Sequence, residues 1–327
     1  MKIVVDAMGG DNAPAAVIDG VRLALDMDDR LEVVLTGDAE AIVPITHEYS
    51  GRATAVVTTE TISMSDHPAN AVRAKKDSSI VVGCRLVADG EADGLFSAGS
   101  TGATMTAATL VIGRIKGIAR PMVATLLPTA KDTYVVLGDS GANADVKAEY
   151  LLQFGQMGEA YAKTAWGLEK PRVALLNIGE EPSKGSELAQ AAYQLMSKEL
   201  PGFVGNVEGT EILSGEFDVI VTDGFSGNIV LKTIEGTVAL LFQSFYQVLN
   251  ENLENESEKA GVVAGLAGLL KKLSADEVGG APLLGVSASC FIGHGSSSPK
   301  AIANGVLATH KAALNGLTEV IAKAVAI

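Results

Sequence analysis

The sequence predicts an α/β protein: one domain, residues 1–327, built on a doubly wound, mostly parallel sheet in three α/β/α layers. Three observations predict it. Short β-rich runs alternate with helical stretches at the spacing of βαβ units. Many of those runs are near-continuous Val, Ile and Leu, as strands covered on both faces require. The chain is 47% hydrophobic but only 5% aromatic, and it has 36 glycines, which suits tight strand exits where backbone approaches a ligand.

The elements follow in order. Strands are expected at Ile3–Val5, Leu31–Leu35, Ala53–Thr59, Gly94–Ser97, Met122–Leu127, Tyr134–Leu137, Val173–Leu176, Phe203–Gly205, Val219–Thr222 and Ser287–Ile292. Helices are expected between them at Pro14–Met27, Pro68–Ala88, Thr101–Ile112, Val146–Trp166, Ser183–Leu200, Asn228–Leu249 and Pro299–Val325. No internal repeat or low-complexity linker divides the chain. A protruding helical segment is expected near residues 236–280, with its tip at about 250–280.

Composition excludes several classes. A net charge of -14 makes nucleic acid an unsuitable partner. Cys84 and Cys290 form neither a disulfide framework nor a CxxC metal pair. The opening MKIVVDAMGG reads as a strand, since its apolar run is too short for a signal peptide and ends at Asp6. No stretch reads as a run of about 20 apolar residues that would span a membrane. There is no GxGxxG after the first strand, no GxxxxGK[ST] and no HExxH. His47, His67, His294 and His310 are scattered, so no metal site is expected.

In doubly wound sheets ligands bind at the carboxyl ends of the strands. Here nearly every strand exit is Gly, Ser, Thr, Asn or Asp: DAMGGDNAP after the first, then SAGSTGA, GDSGAN, NIGEEPSKGS, TDGFSGN and GHGSSSPK. Their convergence would build one polar cleft with a pliable backbone. Within AGSTGA, the amides of Gly99, Ser100, Thr101 and Gly102 would point out of a helix N-terminus, an arrangement that suits phosphate. Lys184, read as lying in the first turn of the helix over Ser183–Leu200, would supply positive charge. A cation there opposes the helix dipole, so a nearby anion would offset the cost.

A rival reading exists. AGSTG is an Ala-for-Gly version of the GxSxG nucleophile elbow, placed between strand and helix. Ser100, Asp223 and His294 follow in the chain order of a serine acyl-hydrolase or thioesterase.

A second unusual stretch is KAGVVAGLAGLLKKLSADEVGG, Lys259–Gly280. As a helix it places Val262, Leu266, Leu269 and Leu273 on one face, widened by Val263 and Leu270 and closed by Lys271 and Lys272. It follows the polar NENLENESE. It reads either as a core or dimer helix, or as an amphipathic tip that touches a membrane surface reversibly.

The motifs VVDAMGGDNAP, SAGSTGA, GRIKGIARP, GANAD, LLNIGEEPSKG, VTDGFSGN and HGSS, in this order, resemble those of the bacterial phosphate acyltransferases of the PlsX family. The resemblance runs from residue 1 to about residue 310. The stretch from about Asn250 to Ala281 matches no family motif. The resemblance implies transfer of a fatty acyl group from acyl carrier protein to inorganic phosphate. The acyl phosphate would feed a membrane glycerol-3-phosphate acyltransferase in phospholipid synthesis. It also implies a fold similar to isocitrate dehydrogenases and phosphotransacetylases, a homodimer, a cytoplasmic protein in peripheral contact with the membrane, and no metal or other cofactor.

On that resemblance, the catalytic candidates are Lys184 for charge stabilisation, Asn228 as a neutral donor, Asp223 to orient a neighbour and His294 as a general acid or a mere helix cap. Gly9, Gly10, Gly99, Ser100, Thr101, Gly102, Asn143 and Gly227 are the substrate-binding candidates. Acyl carrier protein is acidic, as is this chain, so docking would need a local basic patch. Arg73, Lys75 and Lys76, and Arg114, Lys116 and Arg120, are the candidates.

Overall fold

The computed structural model describes residues 1–252, 259–265 and 275–326. The strands are β1 (Lys2–Asp6), β2 (Glu32–Gly37), β3 (Ala53–Val57), β4 (Gly94–Ser97), β5 (Met122–Pro128), β6 (Tyr134–Gly138), β7 (Val173–Leu176), β8 (Phe203–Val207), β9 (Val219–Val221), β10 (Ala281–Leu284) and β11 (Ser289–Ile292). They form one sheet in the order β3-β2-β1-β4-β11-β10-β5-β6-β9-β7-β8. Each strand expected from sequence is present. β10 is additional, a short antiparallel strand that Pro282 and two preceding glycines conceal in the sequence.

The direction of the strands positions the site. β1, β2, β3, β4 and β11 are parallel, and form the first half-sheet. β6, β9, β7 and β8 are parallel, and form the second. Between them β10 is antiparallel to β11 and β5, and β5 is antiparallel to β6. The two halves therefore run in opposite directions. They are also offset along β5. Met122 and Val123 pair with β10, whereas Ala124 to Pro128 pair with β6. The first half, parallel to β5, sits at its beginning and points its carboxyl ends along it. The second half sits further on and points its carboxyl ends back. Both sets of strand exits meet near Ala124 and Thr125.

Helices cover both faces. They are α1 (Ala15–Met27), α2 (Ala39–Glu48), α3 (Pro68–Ala74), α4 (Ser79–Ala88), α5 (Thr101–Ala107, continued by a π turn over Ala108–Ile112), α6 (Ala148–Trp166), α7 (Glu187–Glu199), α8 (Gly224–Asn252), α9 (residues 259–265), α10 (Ala275–Val278), α11 (Pro299–Leu314) and α12 (Leu317–Val325). Side chains alternate between faces with the strand period of two. Ile3 and Val5 enter one core while Val4 enters another. One face is covered continuously by α1, α2, α6, α7, α11 and α12 over both half-sheets. The other carries two separate cores, α3, α4 and α5 over the first half and the start of α8 over the second. The gap between those two cores lies where the strand exits meet.

Several helix boundaries differ from expectation. The stretch Pro68–Ala88 is two helices, because Asp77 is drawn back to the end of β3: its carboxylate accepts from the Thr59 amide (2.9 Å) and hydroxyl (2.6 Å). Pro299–Val325 breaks at Gly316, which has φ 64°. α7 begins at Glu187 with Ser186 as its cap, so Lys184 precedes the helix rather than occupying its first turn. α8 is 29 residues long, and its Gly224–Glu251 stretch is long and apolar enough to cross a membrane by length and composition, which the sequence reading did not register. Its start is nevertheless rooted in the protein, where Val230, Leu231 and Ile234 pack on the second half-sheet. Beyond them Leu240, Leu241, Phe245 and Val248 are exposed.

Candidate active site

The meeting point of the strand exits is a cavity of about 550 Å³. Its polar wall comes from the exits of β1 (Asp11), β4 (Gly99, Thr101), β6 (Ser140, Gly141) and β11 (His294 to Ser297), with Asn228 from the first turns of α8. Its apolar wall comes from Val123 and Leu126 of β5, Leu231, Val278, Ala281 and Ile292. Met64, from the loop between β3 and α3, reaches in from the side.

Buried carboxylates shape the exits from beneath. Asp6, 4% exposed, accepts from the Ser97 hydroxyl at 2.7 Å and the Met8 amide at 3.2 Å. Ser97 in turn accepts from the Gly99 amide at 3.1 Å. This ties the first exit to the AGSTGA loop so closely that a Cβ on Gly9 would lie 2.7 Å from the Gly99 nitrogen. Gly10 packs against the carbonyl of Gly295, and the Asp11 amide donates to that carbonyl at 2.7 Å. Burial raises the pKa of Asp6 above the usual carboxylate value, and the hydrogen bonds from Ser79, Ser97 and the loop amides oppose that shift.

Asp139 does the same for the β6 exit, and sequence reading did not single it out. Its carboxylate accepts from the amides of Val123 (3.1 Å), Gly141 (3.1 Å), Ala142 (2.9 Å) and Asn143 (2.7 Å), and from the Asn143 side chain (2.8 Å). Burial again raises its pKa, opposed by those donors. The Asn143 side chain also donates to the Pro121 carbonyl at 2.7 Å. Asn143 therefore braces the loop, and its donors are not free for phosphate. Gly227 is likewise a packing residue, since a Cβ there would lie 2.0 Å from the Asp139 carbonyl oxygen.

The AGSTGA loop opens α5 as expected. Among the described residues, the amides of Ser100, Thr101 and Gly102 donate to no protein acceptor, as first-turn amides do. Gly102 lies against Pro68. The Ser100 oxygen caps the helix, accepting from the Ala103 amide at 3.4 Å. His294 accepts from the Ser296 amide on Nδ1 at 3.3 Å. Nδ1 also contacts the Ser296 hydroxyl at 2.8 Å. Asp223 caps α8, accepting from the Ser226 amide and hydroxyl, both at 2.8 Å. Each member of the expected Ser100, Asp223, His294 triad is thus engaged locally, and no hydrogen bond among the described residues joins them. The hydrolase reading is not favoured.

Thr101, Gly99, Asn228 and His294 are brought together in the cavity. Lys184 is not. It stands exposed on the β7 exit, outside the lining, on a loop braced by Asn177, which donates to the Lys184 carbonyl (3.1 Å), and by Asn206, which donates to the Glu181 carbonyl (3.0 Å). Among the described residues the lysine of the lining is Lys232, which sequence reading missed although it lies four residues beyond Asn228 on the same helical face.

Among the outer candidates, Arg73, Lys76, Arg114, Lys116 and Arg120 are exposed, while Lys75 is tied to Asp66 (2.6 Å) and the Thr61 carbonyl (2.8 Å). Arg114, Lys116 and Arg120 follow the π turn that continues α5. Val262 is 43% exposed. Leu266, Leu269, Leu270 and Leu273 lie outside the described residues. Among the described residues no cluster of His, Cys, Asp and Glu could hold a metal ion.

Known proteins share both sequence and fold. The model of the fatty acid synthesis protein family matches residues 1–320. A phosphate acyltransferase of Desulfitobacterium hafniense is 46% identical over 326 residues, 99% of this chain and 97% of that protein. One of Pelotomaculum thermopropionicum is 46% identical over 321 residues, 98% of this chain and 93% of that protein. Among solved structures, a phosphotransacetylase from Streptococcus pyogenes aligns over 96% of this chain and 94% of its own, with TM-score 0.64 and 20% identity. A branched-chain phosphotransacylase from Enterococcus faecalis aligns over 95% and 98%, with TM-score 0.56 and 13% identity, so these two speak for the fold. Sequence motifs, sheet topology and full-length relatives agree: the chain belongs to the fatty acid synthesis protein family, the PlsX family of phosphate acyltransferases.

Proposed function

We propose that this protein transfers a fatty acyl group from acyl carrier protein to inorganic phosphate, giving an acyl phosphate for phospholipid synthesis. The observation that carries this reading is the convergence of both half-sheets' exits on one half-polar, half-apolar cavity, in a chain whose full-length relatives are named phosphate acyltransferases.

The chemistry asks little of the protein beyond placement. Hydrogen phosphate is a ready nucleophile and the thioester an activated electrophile. A phosphate oxygen bonds to the acyl carbon, the carbon–sulfur bond breaks, and the thiolate leaves. Phosphate loses one proton and the thiolate gains one, so the overall step is proton-neutral. The free amides of Ser100, Thr101 and Gly102 receive the anion, and Asn228 is a neutral donor to the developing oxyanion. His294 is the general acid of this reading: its imidazolium form gives a proton to the thiolate, and the proton that phosphate loses restores it. The apolar wall suits the acyl chain.

The same reading extends to partners. Arg73, Lys76, Arg114, Lys116 and Arg120 would guide the acidic carrier protein. The exposed stripe Leu240, Leu241, Phe245 and Val248 on α8 suits a homodimer. Exposed Val262 on α9 suits reversible contact of a cytoplasmic protein with the membrane, where a glycerol-3-phosphate acyltransferase would consume the product.

The test is thiol release from acyl–acyl carrier protein with and without inorganic phosphate. Release that requires phosphate, with acyl phosphate trapped by hydroxylamine, is expected. Release independent of phosphate, or none at all, overturns the reading.

A further inference from the structure

A positive charge stabilises a bound dianion, and among the described residues the lining of the cavity includes one lysine. Its carboxylates are Asp11 and Glu235, its histidine is His294, and its lysine is Lys232. Among the described residues of the wall, Lys232 is the one lysine or arginine set against the carboxylates of Asp11 and Glu235. Lys232 Nζ lies 2.7 Å from Glu235, and the two side chains are 53% and 48% exposed. A pair so exposed contributes little and is readily exchanged.

Geometry favours an exchange toward the phosphate end. Lys232 is one turn beyond Asn228, and helical side chains lean back toward the N-terminus of their helix. The phase of the helix is fixed at this point, because Val230, Leu231 and Ile234 pack into the core on the second half-sheet. Glu235 lies about 10 Å from Asn228 along the axis, at 1.5 Å per residue. The ammonium can therefore abandon a partner at the far end of the wall for an anion at the near end without any movement of backbone.

We propose that Lys232 is the residue that supplies positive charge to the bound phosphate, and that Glu235 holds its ammonium only while the cavity is empty. The proposal rests on the functional reading above and gives to Lys232 the role that sequence assigned to Lys184.

Kinetics and binding test it together. Lys232→Gln is expected to lower kcat/KM for phosphate by roughly 100-fold, the usual effect of removing one such group, with the KM for acyl–acyl carrier protein little changed. Lys232→Arg should recover most of the loss. Glu235→Gln should leave the KM for phosphate the same or lower. In parallel, inorganic phosphate is titrated into the wild type and Lys232→Gln by calorimetry, without any acyl donor. Binding weakened by Lys232→Gln supports the proposal even if acyl transfer itself is not observed, so the two readings fail separately. Wild-type phosphate kinetics or wild-type phosphate binding in Lys232→Gln overturns it. So does an equal loss in Glu235→Gln, which would make the pair a structural unit. Lys184→Gln in the same assays shows which lysine phosphate senses, and a loss confined to Lys184→Gln also overturns it.

Discussion

Ser100 shows what a single residue can and cannot disclose. In sequence it sits in an AGSTG loop that suits either a phosphate cradle or a nucleophile elbow. In the fold its oxygen caps α5. Ser100→Ala should therefore cost about 1 kcal/mol of stability, as loss of an N-cap does, and lower phosphate-dependent thiol release by less than about tenfold. Complete loss of turnover with an unchanged melting temperature would reinstate the nucleophile. The same lesson applies to Asn143, Asp139 and Gly227. The GDSGAN motif marked the right loop, but motif reading cannot tell which polar residue faces the ligand and which faces the loop itself. Asp139 takes five hydrogen bonds from its own surroundings, two of them from Asn143. Gly227 is required by a neighbouring carbonyl rather than by a substrate. Lys232 escaped notice because its relevance depends on helical phase relative to Asn228, not on any motif.

Elements were more legible than residues. Apolar runs located each expected strand, since burial on both faces leaves a mark that local context cannot erase. Helix limits were less legible, because tertiary stitching sets them. Nothing local to Lys75–Ser78 ends a helix as decisively as the bond of Asp77 to Thr59, eighteen residues away. α8 poses the sharpest question at this scale. Its first turns serve the cavity and its later turns carry Leu240, Leu241, Phe245 and Val248 into solvent. In the proposed homodimer, Leu241→Glu with Phe245→Glu should lower the mass read by light scattering to that of a monomer. A variant that keeps the wild-type mass would show that this stripe is not the dimer contact.

At the scale of the whole molecule, stability and assembly come into view. His310 is 1% exposed on α11, with Nε2 3.7 Å from Asp28. Burial lowers its pKa below the usual value, the N-terminal ammonium and Arg30 add to the shift, and Asp28 and a Met1 backbone hydrogen bond oppose it. A histidine with a depressed folded pKa binds fewer protons when native, so its contribution is complete above about 6.5 and is lost as pH falls through the folded value. The melting temperature should therefore drop between pH 7.5 and pH 5.5, and His310→Gln should shrink that drop. Equal drops in both proteins would place the acid sensitivity elsewhere. Sheet order was the least legible feature, because opposed half-sheets and the inserted β10 leave no trace in local patterning. That order has a consequence in time. The first half-sheet is begun by β1 to β4 and completed by β11, after the whole second half has been made. A chain emerging from the ribosome can build the second half from contiguous sequence, but the first must wait with the flank of β4 open. The loop carrying His294 arrives last of all the cavity walls except the start of α11, so a chain that stops before β11 and this loop holds no closed cavity and lacks His294.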